Sequence, residues 1–175
     1  EAITTKVTLG EQISKDEAVY LWQNTDLLQL GQLASKVRWQ QNPEPIVTYL
    51  IDRNINYTNV CNTDCSFCGF YRPNSKHPEA YVLSKAVLAK KIEETLEVGG
   101  TRILLQGGHN DDLKFDFYVD MISWISEKYP IEINAFSPSE IKQMMKVSGL
   151  SCLEVLQTLK GAGMRGLPGG GGEIL

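Results

Sequence analysis

Residues 55–60 (Ile-Asn-Tyr-Thr-Asn-Val) read as a strand that runs straight into Cys61, and Cys65 and Cys68 follow within the same short loop. The arrangement then recurs. Thr101–Gln106 is an apolar run followed at once by Gly107-Gly108-His109-Asn110. Ile131–Phe136 is followed by Ser137-Pro138, and Met164–Leu167 by Pro168, four glycines and Glu173. An amphipathic helix separates each run from the next. Repeated strand–loop–helix order with near-continuous apolar strands predicts an α/β fold, a parallel sheet with helices outside it. In a (β/α) barrel of TIM type, the loops that follow the strands build the functional face. The cysteine loop, Gln106–Asn110, Ser137 and the Gly169–Glu173 stretch therefore fall on one rim.

The helices have readable ends. Ser14 with Glu17, Ser137 with Glu140 and Ser151 with Glu154 each form a capping box, a serine answered three residues later by glutamate. Ser84 caps a helix to Glu97 whose buried stripe is Val87, Leu88, Ile92 and Leu96; Gly99-Gly100 closes it in the left-handed conformation. Asp116 opens a helix with Tyr118, Met121, Ile122 and Ile125 on one face, and the helix after Ser137 ends near Gly149. Upstream, a helix from Ser14 (Ala18, Leu21, Trp22) and one over 27–40 (Leu27, Leu30, Leu33, Ala34, Val37) are expected to pack as core. Residues 46–51 read as a further strand, with Asp52-Arg53-Asn54 a turn or bulge before Ile55. The expected organisation is a helical extension over 1–45 and the N-terminal half of a barrel over 46–175. A complete barrel takes about 250 residues. This chain has 175 and stops as the fourth strand ends, so it is read as a fragment of a longer protein.

Composition removes several classes. The net charge is -4 with no lysine/arginine run, so no nucleic-acid partner is expected. No apolar run approaches the roughly 20 residues of a membrane span, and no secretory signal is evident. Three clustered cysteines with Cys152 far away do not resemble the spread half-cystines of a stapled secreted domain. A reducing, cytoplasmic setting is expected.

Thiolates suit zinc, copper(I) and iron–sulfur clusters. A structural zinc needs four protein ligands, which Cys61, Cys65, Cys68 and His77 could supply in a zinc-stabilised binding module. A 4Fe–4S cubane held by the three cysteines would instead leave one iron open, the design of a site that binds a small molecule.

The C-x3-C-x2-C spacing, with Phe67 before its last cysteine, resembles the radical S-adenosylmethionine (SAM) superfamily. Further stretches resemble its menaquinone/coenzyme F420 branch: Asp52–Cys61, Cys68-Gly69-Phe70-Tyr71-Arg72, Leu104–Asn110, Ala135–Pro138 and Leu167–Leu175. The likeness is strongest to the futalosine-pathway cyclases, with aminofutalosine synthases and the F420-precursor synthase subunit as sister readings. The resemblance implies that Cys61, Cys65 and Cys68 ligate a 4Fe–4S cluster whose fourth iron chelates SAM. Reductive cleavage of SAM would give a 5′-deoxyadenosyl radical that takes hydrogen from a nucleoside-like small molecule. A low-potential donor such as flavodoxin or ferredoxin would supply the electron.

The resemblance also puts Phe67 beside the cofactor and the Gly107-Gly108 backbone against its methionyl amino group, where glycine permits close approach. Ser137 is first a helix N-cap and second a ribose contact. His109 is either a substrate ligand or base or a cap for the next helix. Glu173 is an acidic rim residue suited to ribose hydroxyls, or part of a tail. Cys152 reads as a buried small hydrophobe.

Overall fold

The computed structural model describes residues 2–169. The chain divides into two units between Tyr49 and Leu50. In the first, α1 (Ala2–Leu9), α2 (Lys15–Asn24) and α3 (Leu27–Gln41) follow one another. The Ser14–Glu17 capping box is present on α2, and the Asp26 carboxylate caps α3 through the N–H groups of Leu28 and Gln29. Lys6 pairs with Glu17 at 2.7 Å. Helix α1 was not foreseen, and the expected core packing is not seen. Leu21 is buried, but Trp22 and Leu27 are 80% and 82% exposed, and α3 buries none of its residues. Three short helices enclose too little volume to bury these faces.

The second unit carries β1 (Asp52–Asn56), α4 (Lys85–Glu97), β2 (Arg102–Gln106), α5 (Phe115–Lys128), β3 (Glu132–Ala135), α6 (Pro138–Ser148) and α7 (Cys152–Ala162). The sheet order is β1-β2-β3, all parallel, with Ile55 opposite Leu105 and Leu105 opposite Ala135. Gly166 bridges to Asn134 in the same sense, and Arg165 donates to the carbonyl of Ile133. The fourth run is thus laid along β3 by a single bridge among the described residues.

The first strand corrects the sequence reading. Among the described residues, 46–51 form no strand; Val47 and Tyr49 are strongly exposed, only the Ile51 carbonyl takes a backbone bond, from Thr101 N–H, and the strand begins at Asp52 within the expected turn. The strands also alternate rather than running apolar throughout. Ile55, Ile103, Leu105, Ile133 and Ala135 are buried in one core with Leu88, Ile92, Tyr118, Ile122 and Ile125 of the helices. The intervening positions Asn54, Asn56, Leu104, Gln106 and Asn134 are only partly buried or exposed. Period-two alternation puts them on the opposite face, the inner face of a partial barrel.

The helix ends follow the sequence. Capping boxes close on Ser137–Glu140 and Ser151–Glu154, and Gly99, Gly149 and Gly163 all take positive φ just past their helices. Cys152, expected to be buried, is exposed at the first position of α7.

Candidate active site

Past β1 the chain stays extended and is held on both sides. Tyr57 N–H donates to Gln106 O and Gly108 N–H to Thr58 O, while Leu83 N–H donates to Tyr57 O and Arg72 N–H to Asn59 O. The Thr58 hydroxyl bonds Tyr81 O, and the Asn59 side chain bonds Glu79 O and Tyr81 N. Cys61 therefore leaves a fixed strand end. Its own N–H donates to Arg72 O, and Arg72 is clamped by Glu79.

A cleft of about 510 Å³ opens here. Cys61, Cys65, Phe67 and Cys68 line one wall, and Gln106, Gly107, Gly108 and His109 line another. Asn54, Asn56 and Thr58 of the strand form the floor side, and Ser139 at the start of α6 also contributes. Two of the expected rim segments thus meet in one cavity, and a third reaches it through Ser139. The Gln106 side chain donates to Gly169 O at 2.9 Å, drawing the start of the glycine run to β2. Glu173 lies outside the described residues.

The two loops are stitched together. His109 N–H donates to Cys61 Sγ at 3.2 Å, and Asn62 N–H donates to His109 O at 2.9 Å. Thr63 Oγ1 and His109 Nδ1 are 2.9 Å apart. Asn62 Nδ2 donates to Asp111, which also accepts from Gln143 and Lys146 of α6. Those bonds, Asn62 first and Gln143 next, hold the Asp111 carboxyl below the usual aspartate range. Burial lowers the His109 pKa, against a smaller opposing pull from Asp111. His109 caps no helix: the N-cap of α5 is Lys114.

Gly107 and Gly108 are required by space. A Cβ on Gly108 would collide with the Val60 carbonyl and lie 2.8 Å from Cys61 Cβ. One on Gly107 would stand 2.6 Å from the Tyr57 ring. Phe67 is 83% exposed and contributes an apolar face to the cleft mouth. Ser137 is buried and its hydroxyl accepts from Glu140 N, so it serves as the cap of α6.

Sequence reasoning missed Asn54 and Asn56, although Asn-x-Asn-x-Thr at alternate positions was a readable inner-face signal. It also missed Asp111, whose partners lie in other elements, and it took Glu140 for a cap alone.

The donor set suits a cluster better than one ion. Among the described residues, no three His, Cys, Asp or Glu side chains are gathered around a single metal position. His77 is engaged instead with the N–H of Glu79. Thiolates are soft donors suited to iron–sulfur clusters, a cubane takes each on a different iron, and all three thiols line one cleft wall.

Comparison with known proteins agrees. The Radical SAM superfamily profile matches residues 55–170. The chain is 45% identical over its whole length to cyclic dehypoxanthine futalosine synthase of Halalkalibacterium halodurans, covering 47% of that protein. It is 34% identical to the protein of that name from Streptomyces coelicolor, covering 45% of it. It is 36% identical to 5-amino-6-(D-ribitylamino)uracil–L-tyrosine 4-hydroxyphenyl transferase of Nostoc sp., covering 46% of it. The chain therefore spans about half the length of these relatives.

Among solved structures, the FeFe-hydrogenase maturase HydG from Carboxydothermus hydrogenoformans superposes with a TM-score of 0.63 at 26% identity, over 91% of this chain and 35% of that one. Methylornithine synthase superposes with a TM-score of 0.59 at 16% identity, over 92% of this chain and 56% of that one, a likeness of fold. The superfamily uses a 4Fe–4S cluster and SAM, and its match favours the cluster reading over the zinc module. With a parallel half-barrel, a cysteine loop after its first strand and a profile match over most of its length, the chain belongs to the radical SAM superfamily.

Proposed function

We propose that the chain is the cofactor-binding half of an enzyme that cyclises dehypoxanthine futalosine in menaquinone biosynthesis. The observation that carries this reading is the 45% identity, over the whole chain, to a cyclic dehypoxanthine futalosine synthase. The cleft supports it: three thiols face a glycine loop across a space that is small-molecule-sized.

In this reading Cys61, Cys65 and Cys68 hold the 4Fe–4S cluster. When bound, the cluster and SAM would supply the radical hydrogen-abstraction chemistry acting on the substrate's ribose. The remaining work belongs to the chain. Gly107 and Gly108 let the backbone approach the cofactor's methionyl end. Phe67 offers an apolar face to the cofactor at the cleft mouth. His109, kept neutral by burial, is suited to hydrogen-bond the substrate or hold its proton. Asn54, Asn56 and Gln106 offer amides to a nucleoside-like substrate from the inner face of the sheet. Glu173 would add a carboxylate for ribose hydroxyls. The electron comes from a flavodoxin- or ferredoxin-type donor, in a cytoplasmic setting. No helix among the described residues is long and apolar enough to cross a membrane.

A second reading takes the sister activities, aminofutalosine synthase or the F420-precursor synthase subunit. The 36% identity to the uracil–tyrosine hydroxyphenyl transferase of Nostoc favours the latter of the two. The test is an anaerobic assay of the full-length gene product with SAM, a reductant and each candidate substrate, read by mass spectrometry. The cyclic product with dehypoxanthine futalosine supports the proposal. Turnover with only a sister substrate, or with none, overturns it.

A further inference from the structure

Glu140 does more than its sequence position requires. It is 3% exposed at the third position of α6. One carboxyl oxygen, Oε2, accepts from Ser137 N at 2.7 Å and completes the capping box. A box needs nothing further from the glutamate. In the α7 box, Glu154 Oε2 takes both the N–H and the hydroxyl of Ser151, all within its own cap. The second oxygen of Glu140 instead leaves the helix. Oε1 accepts from the Tyr57 hydroxyl at 2.7 Å and from Gly107 N–H at 2.9 Å.

These two donors stand on the segments that make the cleft. Tyr57 is fully buried four residues before Cys61, its ring edge-on to Tyr118 and Phe136. Gly107 opens the loop that carries Gly108 and His109 to Cys61. The glycine also sits flat against the Tyr57 ring, with no room for a Cβ. The chain tolerates strain beside this arrangement: Phe136, just ahead of the cap, has φ 67, a region bulky residues avoid.

We infer that Glu140 is a positioning residue: by joining Gly107 N–H to the Tyr57 hydroxyl it fixes the glycine loop against the cysteine strand, and so sets the affinity for SAM. This rests on the function proposed above. A glycine pair is free to adopt many backbone states. Held at its first N–H by a buried carboxyl, the loop presents one geometry to the cofactor before the cofactor arrives, which lowers the ordering cost of binding.

The test compares Glu140→Gln, Tyr57→Phe and Glu154→Gln with wild type. Glutamine offers one acceptor oxygen where glutamate offers two, so the Ser137 N–H and the pair on Oε1 cannot all be served. Tyr57→Phe removes one partner and leaves the Gly107 bond. Glu154→Gln disturbs a capping box remote from the loop. Amide exchange at Gly107 is measured in the unloaded chain, and SAM dissociation constants by anaerobic equilibrium dialysis of cluster-loaded protein with iron counted per chain.

Glu140→Gln is expected to speed Gly107 exchange and weaken SAM about tenfold, the worth of one hydrogen bond, with iron content unchanged. Tyr57→Phe should weaken SAM by a smaller factor, and Glu154→Gln should leave it unchanged. Wild-type SAM affinity in Glu140→Gln overturns the inference, as does an equal loss in Glu154→Gln. If Glu140→Gln does not fold, Tyr57→Phe decides: weakened SAM binding at full iron content supports the inference, and wild-type affinity overturns it. A wild type that takes up a cluster but no SAM overturns the proposed function and the inference with it.

Discussion

His109 and Cys61 are joined through backbone and sulfur: the N–H of His109 points at Cys61 Sγ across 3.2 Å, while the His109 carbonyl takes the N–H of Asn62. The loop after the second strand is therefore bonded to the first cysteine before any cofactor binds. N–H groups directed at cluster sulfurs stabilise the more reduced, more negative state and tune its potential. His109→Pro removes that donor. The expected result is a more negative midpoint potential for the reconstituted cluster, read by EPR-monitored redox titration, with the His109→Ala variant, which keeps the N–H, close to wild type.

Asp111 anchors the cysteine loop from outside it. Its carboxylate takes Asn62 on one side and Gln143 and Lys146 of α6 on the other. Asp111→Ala should loosen the loop and lower cluster retention about tenfold, the lower end of what outer-shell partners of metal ligands are worth. Iron content after timed exposure to a chelator checks this.

The same anchor gives a pH dependence. The Asp111 pKa lies below its ordinary value of 3.8 because Asn62 and then Gln143 bond the charged form. A carboxyl depressed on folding contributes stability that is present above the unfolded pKa and lost as pH falls through the folded one. Acidification through that folded value, below 3.8, should therefore release Asn62. A carboxyl-detected NMR titration should give a midpoint below 3.8 in the folded chain and the ordinary value in Asp111-containing peptide.

How far the chain could be read in advance depended on where the information lay. Local signals survived: Ser137, Pro138 and Glu140 spell a helix start within four residues, and the structure closes that box. The parallel order followed from strand–helix alternation, and β1-β2-β3 has it. Exposure was less legible. Trp22 and Leu27 fit a helical stripe, yet a three-helix unit buries neither. The run 46–51 is apolar enough for a strand but forms none among the described residues. In the site, the cysteines were legible from their spacing, and Gly107-Gly108 from its place directly after a strand. Asp111 and the second role of Glu140 were not, because each depends on a partner far along the chain: Gln143, 32 residues away, for the one and Tyr57, 83 residues away, for the other.

The Gly108 contact makes a sharp steric prediction. A methyl group there meets the Val60 carbonyl and Cys61 Cβ at once, and backbone cannot rotate out of the way as a side-chain tip can. Gly108→Ala is expected to cost about 1–3 kcal/mol, measured by urea unfolding. Gly69→Ala, where a Cβ meets nothing within 4 Å, should fall within about 0.5 kcal/mol of wild type.

The central claim is that Cys61, Cys65 and Cys68 together hold a 4Fe–4S cluster in this cleft. Its most direct measurement is EPR of the anaerobically reconstituted, reduced protein, wild type beside Cys65→Ala, with iron and sulfide counted per chain. The account expects a reduced-cluster signal and about four irons per chain in wild type, a signal that changes on adding SAM, and its loss in Cys65→Ala. A wild type without the signal, or a Cys65→Ala variant that keeps it in full, would contradict the account.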